Sequence, residues 1–178
     1  MRERLAPAAR WRCMTERGIA HLDRIWQVIG KAGICMMTTH FPDGLRARPM
    51  EARAERETDA IWFLTDRRGL KDDEIEACPE VCLTFFHAPE KVYLSLTGDA
   101  SVCRDPERAH ALWNKKQEAW WDGPGDPNLL VLRVDLKRAE MWDGPANSAI
   151  AAHEFAKARI TGEKPDLGEN RKVSVDME

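Results

Sequence analysis

The sequence contains no apolar run of the roughly 18–20 residues that a membrane-spanning helix requires, which sets the expectation of no membrane partner. Its basic N-terminus, MRERLAPAARWRCMTERG, lacks an apolar run of signal-peptide length. There is no C-x-x-C pair, the five cysteines (Cys13, Cys35, Cys78, Cys82, Cys103) are odd in number, and the five histidines fall at no ligand-like spacing. Reduced thiols, a cytoplasmic location and no metal site are the expectation. There is no surplus of positive charge either. A formal net charge of -3 gives no general attraction to nucleic acid or anionic lipid, so any anion-binding site has to be local. Tyrosine is nearly missing, at one against seven tryptophans. A chain that invests in indoles places large flat surfaces with a single donor in cores, at interfaces or around aromatic ligands.

What is present centres on Ile61–Cys78, IWFLTDRRGLKDDEIEAC. Ile61 to Leu64 is a short apolar run suited to a buried strand. Thr65 and Asp66 end it, Arg67, Arg68 and Lys71 follow within a few positions, and Asp72 to Ile75 opens an amphipathic helix closed by Pro79. A hydroxyl, backbone N–H groups and cations at a strand-to-helix junction suit a phosphate. The same arginines equally suit an ordinary solvated loop.

The 178-residue chain reads as one domain. Leu22, Ile25, Trp26 and Ile29 recur at helical spacing over His21–Ala32, with Gly33 as the stop. Ile34–Thr39 and Leu45–Arg53 flank the turn Phe41-Pro42-Asp43-Gly44 and predict a hairpin. Arg46, Arg48 and Met50 share one face of its second strand, and Pro49 there removes a ladder donor, as at an edge, a bulge or a ligand. Val81–Phe86 and Lys91–Thr97 pair around a second turn, and Gly98 permits a bend before Ala100–Cys103. Asp105-Pro106 predicts an N-cap and first helical position for a helix with Ala109, Leu112, Trp113 and Trp120 near one face. Leu129–Leu136 and Arg138–Trp142 read as two short strands, Asn147–Ile160 as a peripheral helix, and Thr161–Glu178 as a weakly ordered polar tail. The count is six to eight short antiparallel strands with inserted helices, a small β-barrel. The expected domains are an N-terminal extension at 1–18, disordered, a barrel at 19–146, and a helix with polar tail at 147–178.

Several motifs follow one another between Ile19 and Asp143. They are the basic strand Arg46-Ala47-Arg48-Pro49-Met50, W-F-L-T-D before a basic loop, V-x-L-T-F-F, L-S-L-T-G-D-A, D-P-E and A-E-M-W-D. Their order resembles the pyridoxamine 5'-phosphate oxidase-like FMN-binding split barrels, and within them the general stress protein 26 group. The resemblance implies a mainly β fold with inserted helices, a six-stranded antiparallel split β-barrel, assembled as a homodimer with FMN in clefts at the subunit interface. It implies that Arg48 reaches the FMN phosphate, that Pro49, Met50 and Glu51 offer backbone to the isoalloxazine edge, and that Thr65 supplies a hydroxyl. Lys71 matches the family's phosphate-binding lysine, with Asp66, Arg67 and Arg68 beside it, and Tyr93 and Ser95 approach the flavin from the other subunit. Where many of these oxidases carry Ser-Arg-Lys, this chain has Gly69-Leu70-Lys71, so Arg67 or Arg68 has to compensate. The Arg-x-His-Asp-Arg segment of true pyridoxamine phosphate oxidases is missing, and pyridoxal phosphate synthesis is not expected.

Flavin brings its own redox capacity, which accounts for the lack of any conspicuous acid–base pair or nucleophile. The expected function is an FMN-dependent oxidoreductase passing electrons from a nicotinamide or deazaflavin donor to an unknown small-molecule substrate. The alternative is a flavin-binding stress or sensor protein without turnover. Trp113, Trp120, Trp121 and Trp142 are candidates for the cleft wall, and each equally suits core or interface packing.

Overall fold

The computed structural model describes residues 16–69, 75–143, 157, 159 and 171–177. Helix α1 (Glu16–Ala32) buries Leu22, Ile25, Trp26, Val28 and Ile29, the stripe its spacing predicts. It stops at Gly33, whose positive φ of 67° is one that glycine adopts without a Cβ clash. Eight strands follow among the described residues: β1 (Ile34–Phe41), β2 (Gly44–Glu51), β3 (Arg53–Glu55), β4 (Ala60–Asp66), β5 (Glu80–His87), β6 (Val92–Cys103), β7 (Leu129–Asp143) and β8 (Arg171–Asp176). Helix α2 (Pro106–Leu112) lies between β6 and β7.

The strands pair in the order β2-β1-β5-β6-β7-β4-β3, with β8 also on β7. β2 and β3 stand at opposite ends of this path, yet the chain joins them through Ala52 alone. The path thus has seven strands rather than the six expected, with β8 as an addition; the extra one arises because β2 and β3 are two halves of one interrupted stave, so that the ring counts six staves. Alternation along the staves turns Met37, Phe63, Leu83, Phe85, Leu94, Leu96 and Leu132 into the barrel, where each is essentially inaccessible. Burying a side chain of this size contributes about 1.5–3 kcal/mol. A smaller apolar cluster forms outside, where α2 and the following loop cover Trp62, Leu129 and Val131 with Ala109, Trp113 and Trp121.

Three expectations change. Leu129–Leu136 and Arg138–Trp142 form one strand, because Lys137 is accommodated as a bulge: Gly98 pairs with Leu136 while Thr97 pairs with Arg138. The helix begun by Asp105 ends at Leu112, and Asn114 caps a separate 3-10 turn, Lys115–Ala119. Trp113 and Trp120 therefore do not continue one helical face. The end of the expected weakly ordered tail is strand β8, which pairs with Arg138–Asp143 and buries Val175. The expected helix at Asn147–Ile160 and the expected extension at 1–18 lie largely outside the described residues.

Candidate functional site

The β3–β4 ladder starts with Glu55 opposite Ala60 and ends with Arg53 opposite Trp62. Continued in that register, it would set Glu51 opposite Leu64, Met50 opposite Thr65 and Pro49 opposite Asp66. Those pairs are not made: β2 instead turns toward β1, with Ile34 opposite Glu51. The gap left by the unmade rungs is a cleft of about 320 Å³, at the small end of the roughly 300–1,000 Å³ usual for ligand pockets. Its sides are Pro49, Met50 and Glu51 from β2 and Leu64, Thr65 and Asp66 from β4. Pro49 has no N–H to offer a neighbouring strand, which is one reason the barrel does not close here.

Arg53, Gln117, Trp120 and Trp121 complete the lining. Glu51 is held from two directions, by Arg53 at 3.0 Å and by the Gln117 amide, which donates at 2.9 Å. The hydrogen bond from Arg53 is the largest cause holding the Glu51 carboxyl below its ordinary range. On the opposite rim Arg68 bonds Asp66 through its backbone N–H at 2.8 Å and its guanidinium at 2.9 and 2.5 Å. These contacts bring the Asp66 carboxyl down to about 2. Both rim carboxylates are thus anionic at neutral pH and already partnered by cations.

Five of the residues assigned by resemblance meet in the cleft: Pro49, Met50, Glu51, Thr65 and Asp66. Arg67 and Arg68 form an exposed 3-10 turn directly after it. Arg48 is not among the lining residues. It hydrogen-bonds the buried Thr39 hydroxyl and lies 5.5 Å from the Phe41 ring centre. Lys71 lies outside the described residues. Tyr93 and Ser95 do not line this chain's cleft. Tyr93 stacks on Phe86 with ring centres 4.6 Å apart, and Ser95 approaches Cys82 Sγ at 3.5 Å. Of the tryptophans, Trp120 and Trp121 wall the cleft, whereas Trp113 packs in the outer cluster and Trp142 pairs opposite Tyr93. Arg53 and Gln117 had no sequence signal of their own, since one follows a strand interruption and the other sits in a 3-10 turn without periodicity.

Six staves opened at one seam, with a ligand-sized cleft at the opening, define the FMN-binding split-barrel fold. The family model for pyridoxamine 5'-phosphate oxidase-like proteins matches residues 20–166, and the chain belongs to that family. It is 31% identical over 78 residues to general stress protein 26 of Bacillus subtilis (strain 168), a match covering 42% of this chain and 56% of that protein. The chain spans little more than half the length of the curated relatives it matches. Among solved structures, a general stress protein 26 from Jannaschia sp. CCS1 superposes with a TM-score of 0.69 at 25% identity, covering 89% of this chain and 99% of that one. The general stress FMN/FAD binding protein of Xanthomonas citri superposes at 0.60 with 28% identity, covering 71% and 89%.

Proposed function

We propose that the cleft binds FMN and that the loaded protein, a homodimer, is an oxidoreductase for a small substrate. The observation carrying this reading is the set of unmade rungs between residues 49–51 and 64–66. Two strand edges facing one cleft offer main-chain donors and acceptors to the polar edge of a planar heterocycle, and Thr65 adds a hydroxyl at the same level. Trp120 and Trp121 offer aromatic surface to the ring. Arg67, Arg68 and, by resemblance, Lys71 follow the β4 end, where a phosphate group meets charge-assisted donors. The name of the Xanthomonas citri protein, which binds FMN or FAD, supports a flavin.

Bound FMN supplies hydride and single-electron chemistry. The chain's own residues hold and orient it: β2 and β4 fix the ring edge, Glu51 and Asp66 keep their charges through Arg53 and Arg68, and the indoles exclude water from one side. A dimer is supported by the outer face of the sheet. Ile34, Met36, Phe86 and Tyr93 are each more than two fifths exposed, and the β5–β6 register sets Phe86 opposite Tyr93. An apolar face of this kind fits a second copy.

The paired state of both rim carboxylates also favours a second reading, flavin binding without turnover, since neither offers a proton near neutral pH. Steady-state oxidation of reduced nicotinamide or deazaflavin by the FMN-loaded protein, over several acceptors, decides between them. Turnover above that of free FMN supports the oxidoreductase, and a rate equal to free FMN leaves the binder. Protein that emerges colourless from desalting after incubation with FMN removes both.

A further inference from the structure

We propose that Gln117 is a positioning residue that fixes the aromatic wall of the cleft across the opening of the barrel, and that Trp120 is the surface on which a planar ligand ring stacks. This rests on the flavin reading above.

Gln117 is buried, at 4% exposure, although it sits in an otherwise exposed 3-10 turn. Each of its polar groups has a task. The side-chain amide donates to Glu51 at 2.9 Å, and the side-chain oxygen accepts from the Asn114 backbone N–H at 3.1 Å, closing a capping box. Its backbone carbonyl accepts from both Trp120 N–H at 2.9 Å and Trp121 N–H at 3.1 Å. One residue therefore links the β2 rim of the cleft to the two indoles that wall it. The indoles then divide their roles. Trp121 packs against the outer apolar cluster, while Trp120 is 66% exposed although it lines the cleft. Their ring centres are 6.4 Å apart with planes inclined at 54°, so they do not stack on each other face to face. Trp121 anchors the segment and Trp120 presents its face.

The carboxylate that Gln117 holds is surrounded by charge of known sign. Arg53 contacts it directly, and Lys116 lies near enough to favour its ionised form. Replacing the amide by a carboxyl, Gln117→Glu, sets two anions against each other at this point, so the tie forms only when one of them holds a proton.

The experiment is FMN titration of the wild-type chain and of Trp120→Ala, Gln117→Leu and Gln117→Glu, following affinity and the fluorescence of bound flavin, which an adjacent indole quenches. Trp120→Ala should weaken binding by roughly 2- to 10-fold, the range of an aromatic pair, and bring back flavin emission. Gln117→Leu should reproduce both changes with Trp120 still present. Gln117→Glu should bind and quench more strongly at pH 5 than at pH 8, while the wild type changes much less over that range. Unchanged affinity and emission in Trp120→Ala and Gln117→Leu overturn the inference and leave the flavin reading standing, as does a pH profile of Gln117→Glu parallel to that of the wild type. A wild-type chain that binds no FMN overturns the flavin reading and the inference with it.

Discussion

Gly98 passes so close to Asp135 that a Cβ on residue 98 would stand 2.3 Å from the Asp135 carbonyl oxygen and 3.0 Å from its carbonyl carbon. The close approach falls where the β6–β7 register shifts, so the bulge at Lys137 and the glycine at 98 belong to one device. The atoms in the way are backbone and cannot swing aside. Gly98→Ala is expected to destabilise the fold by about 1–3 kcal/mol, the usual cost of overpacking. A lower urea midpoint at unchanged slope confirms it, and an unchanged midpoint shows that β7 has room to move.

Glu55 carries a pH dependence. Thr58 donates to its carboxylate at 2.6 Å, the Trp62 indole at 2.9 Å and Arg108 at 2.7 Å. These contacts, the Thr58 hydrogen bond first, lower its pKa from 4.5 to about 2. A depressed carboxyl contributes stability above its unfolded pKa and loses it as pH falls toward the folded one. The loss is therefore expected between about pH 4.5 and 2. Stability of Glu55→Gln should fall less steeply than that of the wild type across this window, which thermal melts at stepped pH measure. Parallel curves would remove Glu55 from the account.

Lys71, assigned to the phosphate by resemblance, gives a third prediction. Lys71→Ala should lower FMN affinity by about 1.5–3 kcal/mol if it makes one charge-assisted contact, whereas Lys164→Ala should leave it unaltered. Equal dissociation constants for Lys71→Ala and wild type in a titration would hand the phosphate to Arg67 and Arg68.

The fourth concerns the outer sheet face. Phe86→Glu puts a charge into the apolar patch formed with Tyr93 while leaving the barrel interior untouched. Sedimentation should show a shift from dimer to monomer, together with reduced flavin retention after desalting. A wild-type monomer that retains flavin contradicts the interface.

The parts of this fold that were legible in the sequence are those in which one local signal sufficed. The stripe Leu22, Ile25, Trp26 and Ile29, the turn at Phe41–Gly44 and the cap at Asp105 each depend on neighbours within a few positions. Of the six residues that β2 and β4 give the cleft, five were named through motif order, and Leu64 read only as part of an apolar strand. Gln117 was not, because its partner Glu51 is 66 positions away and its 3-10 turn has no periodicity to read. β7 read as two strands because Lys137 interrupts its alternation, and only the register against β6 reveals a bulge. β8 escaped because R-K-V-S-V-D has few apolar residues.

Ala52 joins two half-staves that answer to different neighbours, one bonded to β1 and the other to β4. A ligand seated in the seam touches both, and so cross-links the two ends of the sheet without a covalent bond. Occupancy and folding are then linked by mass action: at a free ligand concentration of about 100 times Kd, the folded state gains about 2.7 kcal/mol. On the flavin reading proposed above, a melting curve of this molecule is also a binding assay, and the cofactor would supply from solution the rungs that β2 and β4 leave unmade.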